Sequence, residues 1–116
     1  MLKVIIVDDE PLILNIMEAY LKKIAVCYKF SNAIDAADKV KELSPDLIIS
    51  DFYMPEMSGL EFVTKIREFS QVPVVLMSGS HVDDDLKKTF TYFLKKPVNI
   101  KEIQELVLKL TNKNGN

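Results

Sequence analysis

The chain is poor in several things that large protein classes require. It has one cysteine, Cys27, so no disulfide can close within it, and a thiol left single fits a reducing compartment. Three glycines in 116 residues and no low-complexity stretch leave no internal linker, so one domain is expected. Long apolar runs are missing as well. The longest, Val72 to Met77, is far too short to cross a bilayer. Val4 to Val7 gives way at once to Asp8, Asp9 and Glu10, so the N-terminus offers no secretory apolar segment. Nor is there a basic excess: 15 Lys and Arg stand against 17 Asp and Glu, a formal charge of -2, which argues against a binder of phosphate backbones. A cytoplasmic protein with no membrane and no direct nucleic-acid partner is expected.

What is present is a globular composition. Hydrophobic residues make up 48% and charged residues 28%, and Ile, Leu and Val together number 35, enough for one continuous core. Read for period, the chain alternates strand and helix five times. Lys3 to Val7, Ala25 to Phe30, Leu47 to Ser50, Val74 to Met77 and Thr91 to Leu94 read as strands. Pro11 opens a first helix whose Leu12, Ile13, Ile16, Met17, Tyr20, Leu21 and Ile24 mark one face. Ser31 or Asn32 caps a second, with Ile34, Ala37, Val40 and Leu43 inward. A third turns Leu60, Val63, Ile66 and Phe69 inward, and the last turns Ile100, Ile103, Leu106, Val107 and Leu110 inward. Residues 82–89 form only a short, weak helix candidate, and 112–116 a frayed tail after a domain over 1–111.

Apolar strands alternating with helices imply an α/β fold, a parallel sheet covered on both faces. Right-handed crossovers then bring every strand's C-terminal end to one edge, where such sheets bind ligands. The strands end in Asp8-Asp9, Asp51, Ser78 and Lys96. Two carboxylates about 5 Å apart repel by roughly 3 kcal/mol at an effective dielectric near 20, so the acids need a compensating cation. Oxygen ligands suit Mg²⁺, with Mn²⁺ as a substitute.

With these residues in this order, the sequence resembles the receiver domain of two-component response regulators, the family of the single-domain chemotaxis regulator. The motifs are Asp8-Asp9, then Asp51-x-x-Met54-Pro55-x-Met57-x-Gly59, then Ser78, then Lys96-Pro97, and the likeness runs from Lys3 to about Leu110. The resemblance implies a flavodoxin-like, doubly wound five-stranded sheet, order 2-1-3-4-5, with helices on both faces. It implies that Asp51 accepts a phosphoryl group from a histidine kinase or histidine phosphotransfer protein. Asp9 and Asp51 would ligate Mg²⁺ directly, Asp8 through water, and the carbonyl of Tyr53 would be a further ligand. Lys96 would pair with the acceptor and then with the phosphoryl group, and Ser78 would bond a phosphoryl oxygen. Phe93 would turn inward on phosphorylation, signalling to a downstream protein through the fourth helix, fifth strand and fifth helix. The domain would be no enzyme beyond catalysing its own phosphorylation and dephosphorylation.

The sequence departs from the family between Ser78 and Lys96, which is about four residues short, roughly one helical turn. Thr89-Phe90 replaces the usual Gly-Ala pair. A shortened or irregular fourth helix is expected there. Tyr53 and Ser80 occupy the positions that tune lifetime in this family, and neither suits orienting a water, so a long-lived phosphorylated form is expected.

Each feature also has a plainer reading. Asp8-Asp9-Glu10 suits an ordinary helix start, and Ser78 suits a cap. Lys95 and Lys96 point to opposite faces, so only one reaches inward, and adjacency to Pro97 favours Lys96. His81 reads as a loop residue, Asp83-Asp84-Asp85 as a helix start, Cys27 as a packed thiol, and Met54 and Met57 as loop packing. Phe90, Tyr92 and Phe93 read as partly core and partly docking surface. The competing function is a degenerate receiver, an interaction module never phosphorylated. A haloacid-dehalogenase-like phosphatase would need Asp-x-Asp after the first strand, and a flavodoxin-like carrier would need a Ser/Thr-rich phosphate loop there. The chain has no room for an output domain, so a free receiver or a fragment of a longer protein is expected.

Overall fold

In the computed structural model the strands are β1 (Leu2–Val7), β2 (Ala25–Phe30), β3 (Leu47–Asp51), β4 (Val74–Ser78) and β5 (Tyr92–Lys95). The helices are α1 (Pro11–Leu21), α2 (Ala33–Leu43), α3 (Gly59–Ile66) and α4 (Ile100–Thr111). The structure describes residues 1–80, 90 and 92–111. The expected helix over 82–89, His81, the Asp83-Asp84-Asp85 run and the tail over 112–116 lie outside them. All pairings are parallel and the order is β2-β1-β3-β4-β5, as expected.

Alternation along the strands divides the core into two layers, since neighbouring strand residues face opposite ways. Ile5, Val7, Ile48, Val74 and Leu76 pack against Ala36, Val40, Phe62 and Ile66 of α2 and α3. Val4, Ile6, Leu47, Ile49, Val75, Met77 and Leu94 pack against Leu14, Met17 and Leu21 of α1 and Ile103 and Val107 of α4. Local capping agrees with the helix starts. Asn32, not Ser31, caps α2 by accepting from the Asp35 N–H, and Ser58 closes a capping box with Glu61 at α3.

Three expected helix faces need correction. In α1 the buried stripe is Leu14, Met17 and Leu21, while Leu12 and Tyr20 are exposed. That helix is apolar on several sides, so period alone does not select its face. In α2 the sheet is met by Ala33, Ala36, Ala37 and Val40, and Ile34 is exposed. Small side chains let the helix approach closely, and side-chain size misleads about which row is inside. Phe69 lies beyond the end of α3, partly exposed, with the Lys41 ammonium 4.6 Å from its ring centroid.

Cys27 is half-buried on β2, an edge strand. Burial pushes its thiol up to about 11, with the Glu18 carboxylate adding to the shift and Lys29 opposing it. Two units above the ordinary value leave about a hundredfold less thiolate at pH 8. A disulfide reagent at pH 8 should therefore react with Cys27 about a hundredfold more slowly in the native protein than in urea. Equal rates would contradict this.

Candidate active site

The same alternation decides which side chains meet at the carboxyl edge. Asp8 continues the row of Val4 and Ile6, Asp51 that of Leu47 and Ile49, and Lys96 that of Leu94, all toward α1 and α4. The ladder runs past β5, since the Lys96 N–H donates to the Ser78 carbonyl at 2.8 Å. Lys95, one residue earlier, points away and is exposed.

Lys96 Nζ consequently stands 3.1 Å from Asp51 Oδ2 and 3.7 Å from Asp8 Oδ2. Asp8 is fully buried and Asp51 nearly so. Asp8 Oδ1 accepts the Glu10 backbone N–H at 2.9 Å. Its Oδ2 has no hydrogen-bond donor among the described residues; the Lys96 ammonium attracts it from beyond hydrogen-bond reach. Burial raises the Asp8 carboxyl above its ordinary value. The Glu10 N–H and Lys96 oppose that rise, and the charges of Asp51 and Asp9 add to it. Burial by itself would lower Lys96, but its bond to Asp51 and the charges of Asp8, Asp51 and Glu10 outweigh this, and the ammonium is held above its usual range.

Asp9 and Glu10 are exposed at the rim. One carboxylate oxygen from each of Asp8, Asp9 and Glu10 lies within 4.8 Å of the others. Asp51 stands outside that trio and is tied to Asp8 through Lys96. Glu10 is the residue that sequence reasoning passed over. Its adjacency to two acids was a signal, but an acid at a helix start has an ordinary explanation. The donor set is all oxygen, and a buried carboxylate oxygen without a donor is the kind of atom a hard divalent cation satisfies, so these residues fit magnesium.

The remaining expected residues are placed as follows. Ser78 is the buried last residue of β4, one position past Met77, the residue that pairs with Asp51. Its hydroxyl accepts the Ser80 N–H at 3.0 Å and donates to the Ser80 carbonyl at 3.2 Å. Phe93 is half-buried against the α2–α3 layer, its ring 6.3 Å from that of Phe90. Tyr53 is exposed in the loop after β3, its ring edge-on to Phe52 at 4.7 Å. Gly59 closes that loop from behind, donating its N–H to the Phe52 carbonyl at 2.7 Å.

Residues 4–108 match the family model of the response regulator receiver domain. The chain belongs to that family. As a receiver domain it is a signalling module of two-component systems, and it shares the fold of its structural neighbours. A chemotaxis response regulator of Vibrio cholerae aligns with a TM-score of 0.87 at 26% identity, over 95% of this chain and 98% of that one. The receiver domain of a sensor histidine kinase from Pseudomonas aeruginosa, solved with a magnesium ion in its active-site cleft, aligns with a TM-score of 0.84 at 20% identity, over 95% and 97%. Among curated proteins, a protein-glutamate methylesterase/protein-glutamine glutaminase of Agrobacterium fabrum is 38% identical over 80 residues, 66% of this chain and 23% of that protein. The chain spans 21 to 36% of the length of the first methylesterase relatives it matches, and the esterase name belongs to those whole proteins. No helix among the described residues is long and apolar enough to cross a membrane.

Proposed function

We propose that this receiver domain is a phosphorylatable switch whose acceptor is Asp51. The observation that carries the reading is the Lys96 ammonium 3.1 Å from Asp51 Oδ2, in a pocket shared with the buried Asp8. The donor is a phosphohistidine of a histidine kinase or phosphotransfer protein, met in the cytoplasm. An Asp51 carboxylate oxygen attacks phosphorus, the P–N bond breaks, and the imidazole nitrogen leaves with its electron pair and takes up a proton. The product on Asp51 is an acyl phosphate. Lys96 follows the charge from the free carboxylate to the phosphoryl oxygens. Magnesium, or manganese in its place, would be held by Asp9, Asp51 and the Tyr53 carbonyl, with Asp8 through water, and would neutralise the transferring group.

The output is a change of partner for the Ser78 hydroxyl. It leaves the Ser80 backbone for a phosphoryl oxygen, and Phe93 turns further inward behind it. Phe93 has no hydroxyl, so it transmits this by packing alone. A downstream protein reads the altered surface. The receiver unit is residues 1–111, with 112–116 a tail.

The test is incubation with acetyl phosphate, with and without Mg²⁺, followed by intact mass. One added phosphoryl group is expected with Mg²⁺ and none in Asp51→Asn. No gain in the wild-type protein under any divalent cation would instead establish a phosphorylation-independent interaction module. Tyr53 and Ser80 offer no amide or carboxylate to orient water, so the label should outlast the seconds scale. Decay within seconds contradicts that part alone.

A further inference from the structure

We infer that Glu10 is a fourth carboxylate of the cation pocket, beside Asp8, Asp9 and Asp51, one that strengthens magnesium binding while opposing the approach of anionic phosphodonors. The inference rests on the magnesium-dependent reading above and adds a residue to it.

Glu10 is the N-cap residue of α1, the position where an acidic side chain usually serves the helix. Here it makes no side-chain cap hydrogen bond. The capping work is done by its backbone, whose carbonyl accepts from Ile13 and Leu14. The carboxylate is therefore not used by the helix. Its oxygen lies within 4.8 Å of ligand oxygens of both Asp8 and Asp9. Glu10 and Lys96 also line one apolar recess with Ile13, Ile16 and Pro97, where a low-dielectric wall strengthens charge interactions between them.

An acidic trio at a helix start is common and by itself says little. The second observation is that Asp8, a member of the trio, is fully buried and its Oδ2 has no hydrogen-bond donor among the described residues, the Lys96 ammonium standing off at 3.7 Å. A buried carboxylate oxygen left without a donor, on a residue grouped with two further acids, marks a place prepared for positive charge. With Asp8, Asp9, Glu10 and Asp51 ionised and Lys96 protonated, the formal charge is -3, and a divalent ion still leaves -1. Without Glu10 the loaded pocket is neutral. The extra charge attracts the cation and repels a phosphodonor dianion.

These two consequences have opposite signs, which separates them from a structural role. The experiment is calorimetric titration of Mg²⁺ into the whole chain and into Glu10→Gln, at low ionic strength, with the exposed Glu105→Gln on α4 as a charge control. Glu10→Gln should raise the Mg²⁺ Kd by about threefold to tenfold, and Glu105→Gln should leave it unchanged. At saturating Mg²⁺, Glu10→Gln should accept phosphoryl from acetyl phosphate faster than wild type. An unchanged Kd in Glu10→Gln overturns the inference while wild-type binding leaves the acceptor reading standing. Equal weakening by both variants overturns it too, since that is a net-charge effect. Wild type that takes up no Mg²⁺ overturns both readings.

Discussion

Gly59→Ala is expected to destabilise the protein by about 3 kcal/mol or more and to lower the thermal midpoint by about 10 °C or more. A Cβ at this position would lie 2.3 Å from the Asp51 carbonyl oxygen and 2.9 Å from Phe52 Cα. Both obstacles are backbone, so no flexible side chain can yield. The first turn of α3 would have to back away from β3, which also pulls on the Gly59 N–H to Phe52 carbonyl bond at 2.7 Å. Phe52 is fastened on its other side, donating its N–H to the Met77 carbonyl at 2.7 Å. The strain therefore falls on the end of β3 that carries Asp51. Gly79 supplies the control, because among the described residues a Cβ there would meet only Lys96 Cβ at 4.0 Å. Urea unfolding of both variants checks this. A Gly59→Ala protein within 1 kcal/mol of wild type, or a Gly79→Ala protein that loses as much, would show that the close approach is not what glycine serves.

Asp8→Asn is expected to make the metal-free protein more stable and the magnesium-loaded protein comparatively less so. The sign follows from linkage. The Asp8 carboxyl is raised in the fold, so the folded state binds its proton more tightly than the unfolded chain does. That contribution is fully present below pH 3.8 and is lost as pH rises through the raised folded value, so at neutral pH the ionised side chain is a net cost. The amide removes the charge and keeps the shape, including an acceptor for the Glu10 N–H at 2.9 Å. In EDTA near neutral pH the gain should be on the order of 1 kcal/mol, because a buried charge held at a cost becomes a neutral amide. Magnesium at ten times its Kd should stabilise wild type by about 1.4 kcal/mol and Asp8→Asn by much less, closing or reversing the gap. Thermal melts with EDTA and with Mg²⁺ decide it. A variant less stable than wild type in EDTA, or one with an undiminished Mg²⁺ gain, would contradict it.

Much of this architecture can be read along the chain because it rests on short-range periods. Val4 to Val7, Leu47 to Ile49 and Val74 to Met77 are apolar without interruption, as strands buried on both faces must be. Each stops at a polar residue, so the strand pattern by itself puts the acids and the hydroxyl on one edge. Strand alternation says that only one of Lys95 and Lys96 faces inward, and adjacency to Pro97 selects Lys96. Helix faces were harder. Leu12, Tyr20 and Ile34 are large and apolar, and nothing local says that Leu14 and Ala36 are the inward rows instead.

Residue order alone settled the α/β alternation, the parallel sheet and the identity of the groups at its carboxyl edge, since strand and helix periods are local and crossover handedness has one solution. Four matters waited for the folded chain: Asp8 is the fully enclosed acid while Asp9 stays at the rim, Glu10 joins them, Lys96 bridges Asp8 and Asp51, and the Ser78 hydroxyl is engaged by Ser80. The burial of Asp8 and the approach of Lys96 to Asp8 and Asp51 depend on how segments more than forty residues apart register against one another, which the parallel ladders from β1 to β5 set, while the Glu10 and Ser78 contacts turn on the conformation of the loops just past β1 and β4.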